Sequence, residues 1–236
     1  MRCGLFGKLP AKRDFIALFA PREFLDAWEP WMQGGISASR DTLAGAWQKA
    51  FLTAPIWRFW LGADICGRTM LGAFMPSLDG LGRYYPLTVF GCADQNAAIP
   101  PPDLDPQDGW FTAAEEFLLR TLEANIAFDT VTQALDQLAI PVQEFCETPP
   151  QPLRSLAPGT IAAAVEDRSH ADVFSDLRAA NHASTYAAAS AWWTLGGDDF
   201  QPLAFTCRRM PSPFLFTTML RGRLDHAMAA SGHAEP

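Results

Sequence analysis

Apolar and polar positions along the first ninety residues fall into short blocks, each with the period of one element. Cys3 to Leu9 is an apolar run with glycines at 4 and 7 that stops at Pro10, which fits a strand. Pro21 suits the first position of a helix on which Phe24, Trp28 and Met32 recur every four residues, and Pro30 is expected to kink it. Leu43, Ala46, Trp47, Ala50 and Phe51 follow the stripe of a second amphipathic helix, closed by Pro55. Residues 56–61, 70–75 and 87–90 are β-prone runs bounded by glycine and proline, and they read as three strands. Their connections favour antiparallel pairing, because a parallel pair needs a long crossover, usually a helix.

Helices come first in the second half. Phe111, Ala114, Phe117, Leu118, Thr121 and Leu122 mark one helix, and Val131, Leu135 and Leu138 a shorter one. Val173, Phe174 and Leu177 predict another that runs to Asn181. Residues 186–195 and 203–207 read as strands around a Gly196-Gly197-Asp198 turn, and Ser212-Pro213 opens a last helix carrying Phe216 and Leu220. Strands at both ends with helices between them predict an α+β fold rather than a doubly wound sheet. Residues 1–224 are expected to form one domain, and the small, polar residues 225–236 a disordered tail.

Composition narrows the classes. With 236 residues, 49% hydrophobic and 19% charged, the chain can hold a core without disulfides or metals. Its net charge of −8 argues against binding nucleic acid or an anionic membrane, both of which call for lysine and arginine. The acids are concentrated: residues 99–150 carry ten against one base, between proline-rich stretches at 99–106 and 148–152 that read as loops. The five cysteines, at 3, 66, 92, 146 and 207, form no Cys-x-x-Cys pair, so reduced thiols are expected. No apolar run has the length of a membrane span, and the six apolar residues 15–20 are too few for a signal peptide. A cytoplasmic protein is expected.

Candidate chemistry is sparse. Gly4-Leu-Phe-Gly7-Lys8 lacks both the spacing and the hydroxyl of a phosphate-cradling loop, and reads as a glycine-rich strand start. His170 and His182 lack metal-ligand spacing, while His226 and His233 fall in the expected tail. Ser77 and Asp79 could bring a hydroxyl and a carboxylate together, but no base is evident, so a loop bonding its own backbone is the better reading. Glu115-Glu116 and Asp198-Asp199 read as a solvated helix face and a turn. No catalytic constellation emerges, and no cofactor or metal is called for. Eight tryptophans lie near charged positions such as Arg58. Arg58 faces away from Trp57 and Phe59 in a strand, which favours a solvated arginine over a tryptophan core; an aromatic and charged partner surface is the sharper alternative.

The same segments carry a family resemblance. Residues 4–10 (Gly-Leu-Phe-Gly-Lys-Leu-Pro) with Asp14-Phe15, then 54–59 (Ala-Pro-Ile-Trp-Arg-Phe), then 75–79 (Met-Pro-Ser-Leu-Asp) with 82–88 (Gly-Arg-Tyr-Tyr-Pro-Leu-Thr), resemble the motif series of the TagF (ImpM) family of bacterial type VI secretion clusters. Trp192-Trp193-Thr194 and Met210-Pro211 with Phe216 resemble its C-terminal signature. The resemblance implies a longin- or profilin-like antiparallel sheet packed by helices. It also implies a cytoplasmic, non-catalytic repressor that binds the forkhead-associated scaffold protein of the apparatus. Its motif residues Lys8, Asp14, Arg58, Ser77, Asp79, Arg83, Trp192 and Trp193 become partner-binding candidates. Some relatives carry a fused phosphatase domain, which is not expected within these 236 residues. Arg13 replaces a usual glycine, Pro30 interrupts a usually continuous helix, and Leu195 stands where an acid is common. The alternative function is a nucleotide- or ligand-binding regulatory enzyme using Ser77, Asp79 and Arg83.

Overall fold

Strands from both ends of the chain meet in one sheet. The computed structural model describes residues 2–94, 97–123, 125–139, 153–157, 160–165 and 167–222. The expected tail, Cys146 and the loop at 148–152 lie outside them. In chain order the elements are β1 (Gly4–Gly7), β2 (Ile16–Leu18), α1 (Arg22–Leu43), α2 (Trp47–Leu52), β3 (Trp57–Leu61), α3 (Ala63–Cys66), β4 (Met70–Met75), β5 (Leu87–Cys92), α4 (Asp108–Arg120), α5 (Phe128–Gln137), β6 (Arg154–Ala157), β7 (Thr160–Ala162), α6 (His170–Ala180), α7 (His182–Thr185), β8 (Ala189–Thr194), β9 (Leu203–Arg208) and α8 (Leu215–Arg221). Seven strands pair antiparallel in the order β2-β1-β5-β4-β3-β8-β9, and β6 and β7 form a separate hairpin. The fold is α+β, as the order of the elements predicted.

Helices cover both faces of the sheet. On one, Phe24, Trp28 and Trp31 of α1 pack on Phe59, Phe74, Phe90 and Trp192, with Phe216 and Met219 of α8 alongside. On the other, Trp110, Phe111, Ala114 and Leu118 of α4 and Val131 and Leu135 of α5 cover Trp60, Leu71, Ala73 and Val89. The central strands β3 and β4 are therefore buried at every position rather than alternately. Among the described residues, no helix is long and apolar enough to cross a membrane.

Several local expectations are corrected. Pro21 is the residue before the first helical turn, and α1 continues through Pro30 to Leu43, so the predicted second helix shrinks to α2 behind a short 3-10 turn, Ala44–Ala46. Proline removes one backbone donor, but Trp28, Trp31 and Met32 on either side of it are buried and anchor the helix across the gap. Mid-helix Gly35 lets α8 approach: a Cβ there would lie 2.8 Å from Cβ of Phe216. Tyr186 belongs to the turn after α7 rather than to a strand. The three-residue β2, the four-residue α3 and α7, and the β6–β7 hairpin went unpredicted, because each is too short to show a period.

Candidate functional site

The turn between β4 and β5 is built around one carboxylate. Asp79 is fully buried, and its Oδ1 accepts the backbone N–H of Leu81 at 3.0 Å and of Arg83 at 2.9 Å. Its Oδ2 takes Nε of Arg83 at 2.7 Å and Nζ of Lys8 at 3.0 Å. The Asp79 N–H donates back to the Arg83 carbonyl at 3.1 Å, which closes the loop, and Gly82 adopts the positive φ of 79° that the return requires. Ser77 Oγ donates to the Lys8 carbonyl at 2.8 Å, and the Gly80 N–H donates to the Lys12 carbonyl at 2.7 Å. The turn is thus stitched to the chain leaving β1. The expected loop bonding its own backbone holds for Asp79, whereas the Ser77 hydroxyl bonds the end of β1 instead.

Just before Lys8, Gly7 lets β1 run close against the start of β5. That glycine has φ +130°, and a Cβ on it would sit 2.0 Å from the Pro86 carbonyl oxygen. Burial by itself would raise the Asp79 carboxyl. The hydrogen bonds from the Arg83 N–H, Lys8, the Arg83 guanidinium and the Leu81 N–H outweigh it and hold the group below the usual carboxylate range.

Above this buried group lies an exposed rim. A nitrogen of the Arg83 guanidinium donates to the Arg13 carbonyl and stands 3.9 Å from Oδ1 of exposed Asp14. Phe15 packs edge-on against Tyr85 at 4.7 Å yet remains 48% exposed, and Leu81 is 59% exposed. Of the motif candidates, Lys8, Asp14, Ser77, Asp79 and Arg83 therefore come together, with the first, third and fourth underneath and the other two outside.

Arg58 is elsewhere, and its expected solvated face is wrong. It is buried beneath α4, where Nε meets Oε1 of Glu115 at 2.6 Å and a terminal nitrogen lies 3.7 Å from Oδ1 of Asp108. Its guanidinium carbon is 5.2 Å from the centre of the Phe111 ring, which in turn meets Trp193 edge-on at 4.8 Å. Glu115, expected on a solvated helix face, is the counter-charge that permits the burial. Trp193 sits opposite Arg58 in the β3–β8 register and is half-buried. Trp192 points to the other face and is fully buried, 5.8 Å from Trp28 and nearly parallel to it. Phe15 and Leu81 were not among the site candidates of the sequence reading, and Glu115 was read as solvated. The arginine inside an apolar run is the one sequence signal that could have pointed to a buried counter-charge such as Glu115. Among the described residues, no cluster of three or more His, Cys, Asp or Glu is placed to hold a metal ion.

Fold and site together define an α+β domain with a seven-stranded antiparallel sheet between helices, built around an ion-paired turn with an exposed rim. The family described as TagF N-terminal domain, type VI secretion system-associated, matches residues 4–138, and the chain belongs to that family. It is similar to the solved structure titled "Crystal structure of PA0076 from Pseudomonas aeruginosa PAO1 at 2.05 A resolution", with 32% identity and a TM-score of 0.75 over 94% of this chain and 96% of that one. The structural likeness thus extends past residue 138. No curated protein matches the sequence. A role associated with type VI secretion follows from the family.

Proposed function

We propose that this protein is a non-catalytic, post-translational repressor of type VI secretion, acting in the cytoplasm by binding the forkhead-associated scaffold protein of the apparatus. The observation that carries this reading is the rim, where Phe15 and Leu81 stand exposed beside Arg83 and Asp14. Apolar side chains framed by an arginine and a carboxylate, on a turn anchored from below, have the make-up of an interface hot spot. In this reading Lys8, Ser77 and Asp79 hold the rim in shape, while Arg58, Trp192 and Trp193 hold the core behind it. The alternative as a ligand-binding enzyme draws less support, because the Ser77 hydroxyl and both Asp79 oxygens already have partners within the fold.

Titration calorimetry of the full chain against the purified scaffold tests the proposal. Saturable heat is expected, and Leu81→Glu should weaken binding by about tenfold or more without lowering the melting temperature. Absence of heat with both proteins folded would sink the scaffold assignment. Unchanged affinity of the Leu81→Glu variant would move the surface away from the rim.

A further inference from the structure

The sheet ends differently on its two sides. β2 at one edge has three residues; β9 at the other has six, no proline, and pairs with β8 without a register shift. Natural folds usually blunt or cover an edge of that kind. Among the described residues, no strand pairs with its outer side.

Hydrogen bonding decides which backbone groups face outward. The Arg209 N–H donates to the Ala188 carbonyl at 2.6 Å, so the alternation of an antiparallel ladder makes Ser190–Cys207, Trp192–Phe205 and Thr194–Leu203 the bonded pairs. From the β3 side, the Gly62 N–H donates to the Ala189 carbonyl at 2.9 Å, which agrees. The N–H and C=O groups of Ala204, Thr206 and Arg208 therefore point away from β8. These three residues are exposed, and Ala204 and Thr206 border a groove of about 510 Å³ shared with Trp193, Asp103 and Asp108. Asp103 accepts the Tyr186 hydroxyl at 2.7 Å. Asp108 lies only loosely against Arg58, whose Nε is already taken by Glu115. Two exposed carboxylates and a half-exposed indole thus face an open strand edge.

We propose that β9 joins β9 of a second copy, antiparallel about a two-fold axis through Thr206, so that Arg208 of each copy enters the acidic groove of the other. The register follows from the outward groups. Pairing Thr206 with Thr206 sets Ala204 opposite Arg208 twice, and every outward N–H then meets an outward carbonyl. Directly opposed residues share a face of the sheet. The arginine of the second copy therefore lies beside Ala204 on the groove side, within reach of Trp193 and the two carboxylates. Ala204 and Thr206 are small and leave room for it. A second copy is favoured over a foreign strand because β9 itself carries the cation at the position the two-fold axis demands. This edge is the opposite end of the sheet from the rim at Phe15 and Leu81, so the proposal does not rest on scaffold binding.

Sedimentation equilibrium of the full chain between about 1 and 100 µM is the test, a range in which a specific dimer of micromolar affinity becomes populated. The weight-average mass should climb from that of the monomer towards twice it. Arg208→Glu should keep the protein monomeric with an unchanged far-UV circular dichroism spectrum, and adding Asp103→Lys to it should restore the dimer. Thr206→Pro, which removes an outward N–H only, should also abolish association. A monomer throughout the range would overturn the proposal. So would a dimer indifferent to Arg208→Glu, and failure of the charge swap to restore association would overturn the arginine–carboxylate pairing.

Discussion

Nζ of Lys8 lies 3.0 Å from Oδ2 of Asp79, and both residues are buried. The ammonium comes from the end of β1 and the carboxylate from the turn after β4, so the pair joins segments about seventy residues apart. Removing one member of a buried pair leaves the other charge without compensation. Asp79→Ala is therefore expected to lower the melting temperature by on the order of 10 °C. It should also loosen the rim. Differential scanning calorimetry with a parallel binding measurement checks both effects, and a melting temperature like that of the parent would refute the structural role given to Asp79.

The same carboxylate makes stability depend on pH. Because its folded pKa lies below the ordinary carboxylate value, its contribution is fully present above about pH 4, near the unfolded pKa. It is lost as pH falls from there through the folded value. Urea denaturation at a series of pH values should show stability falling on acidification, and Asp79→Asn should flatten part of that slope. Equal slopes in the two proteins would show that other carboxylates carry the acid sensitivity.

Arg58 and Glu115 form a second inward-facing pair at 2.6 Å. Arg58→Ala removes the guanidinium under Phe111 and leaves Glu115 facing it, at an expected cost of about 3 kcal/mol. The double variant Arg58→Met with Glu115→Leu should recover most of that, since an apolar pair of similar volume avoids desolvation of both charges. Chemical denaturation of the two variants decides the point. A double variant no better than the single one would mean that the ion pair contributes more than its packing.

Gly7 is expected to tolerate no side chain. A Cβ would lie 2.0 Å from a backbone oxygen of Pro86, on a residue with φ +130°. Gly7→Ala should destabilise the protein by about 3 kcal/mol or more. Soluble expression and thermal melting measure this; a variant that melts with the parent would contradict the close approach of β1 to the start of β5.

Burial pushes the Cys3 thiol up to about 11 and the Cys66 thiol up to about 12, the latter with a further push from nearby Cys92. Neither should react with iodoacetamide near pH 8 while the protein is folded, since the thiolate is the nucleophile. Both should alkylate fully in denaturant. Peptide mass spectrometry before and after unfolding reads the difference, and native labelling of Cys66 would show that α3 opens on the reaction timescale.

Much of the local structure was legible. Met70–Met75 was predicted to the residue, and β3, β5 and β9 to within two. Short β-prone runs between glycine and proline leave few alternatives. The loop at Ser77 and Asp79 could be anticipated as well, because an aspartate ahead of a Gly-x-Gly stretch bonds its own turn. Arg58 was placed correctly in a strand but wrongly in solvent. Its environment depends on α4, whose Glu115 is 57 residues further along the chain.

The sequence by itself determined most of the longer elements, the antiparallel pairing of β3, β4 and β5, the α+β class and the family resemblance, because periodicity, proline and glycine placement, and motif order can be read along the chain. Tertiary structure alone decided which charges point inward. A strand has two faces, and nothing within it says whether the second is wet; only the docking of the acidic helical segment on the far side of the sheet buries Arg58 beside Glu115. In the same way, Lys8, Asp79 and Arg83 become one group because β1 and the β4–β5 turn lie together, and among the described residues β9 is the outermost strand because the sheet's order ends there.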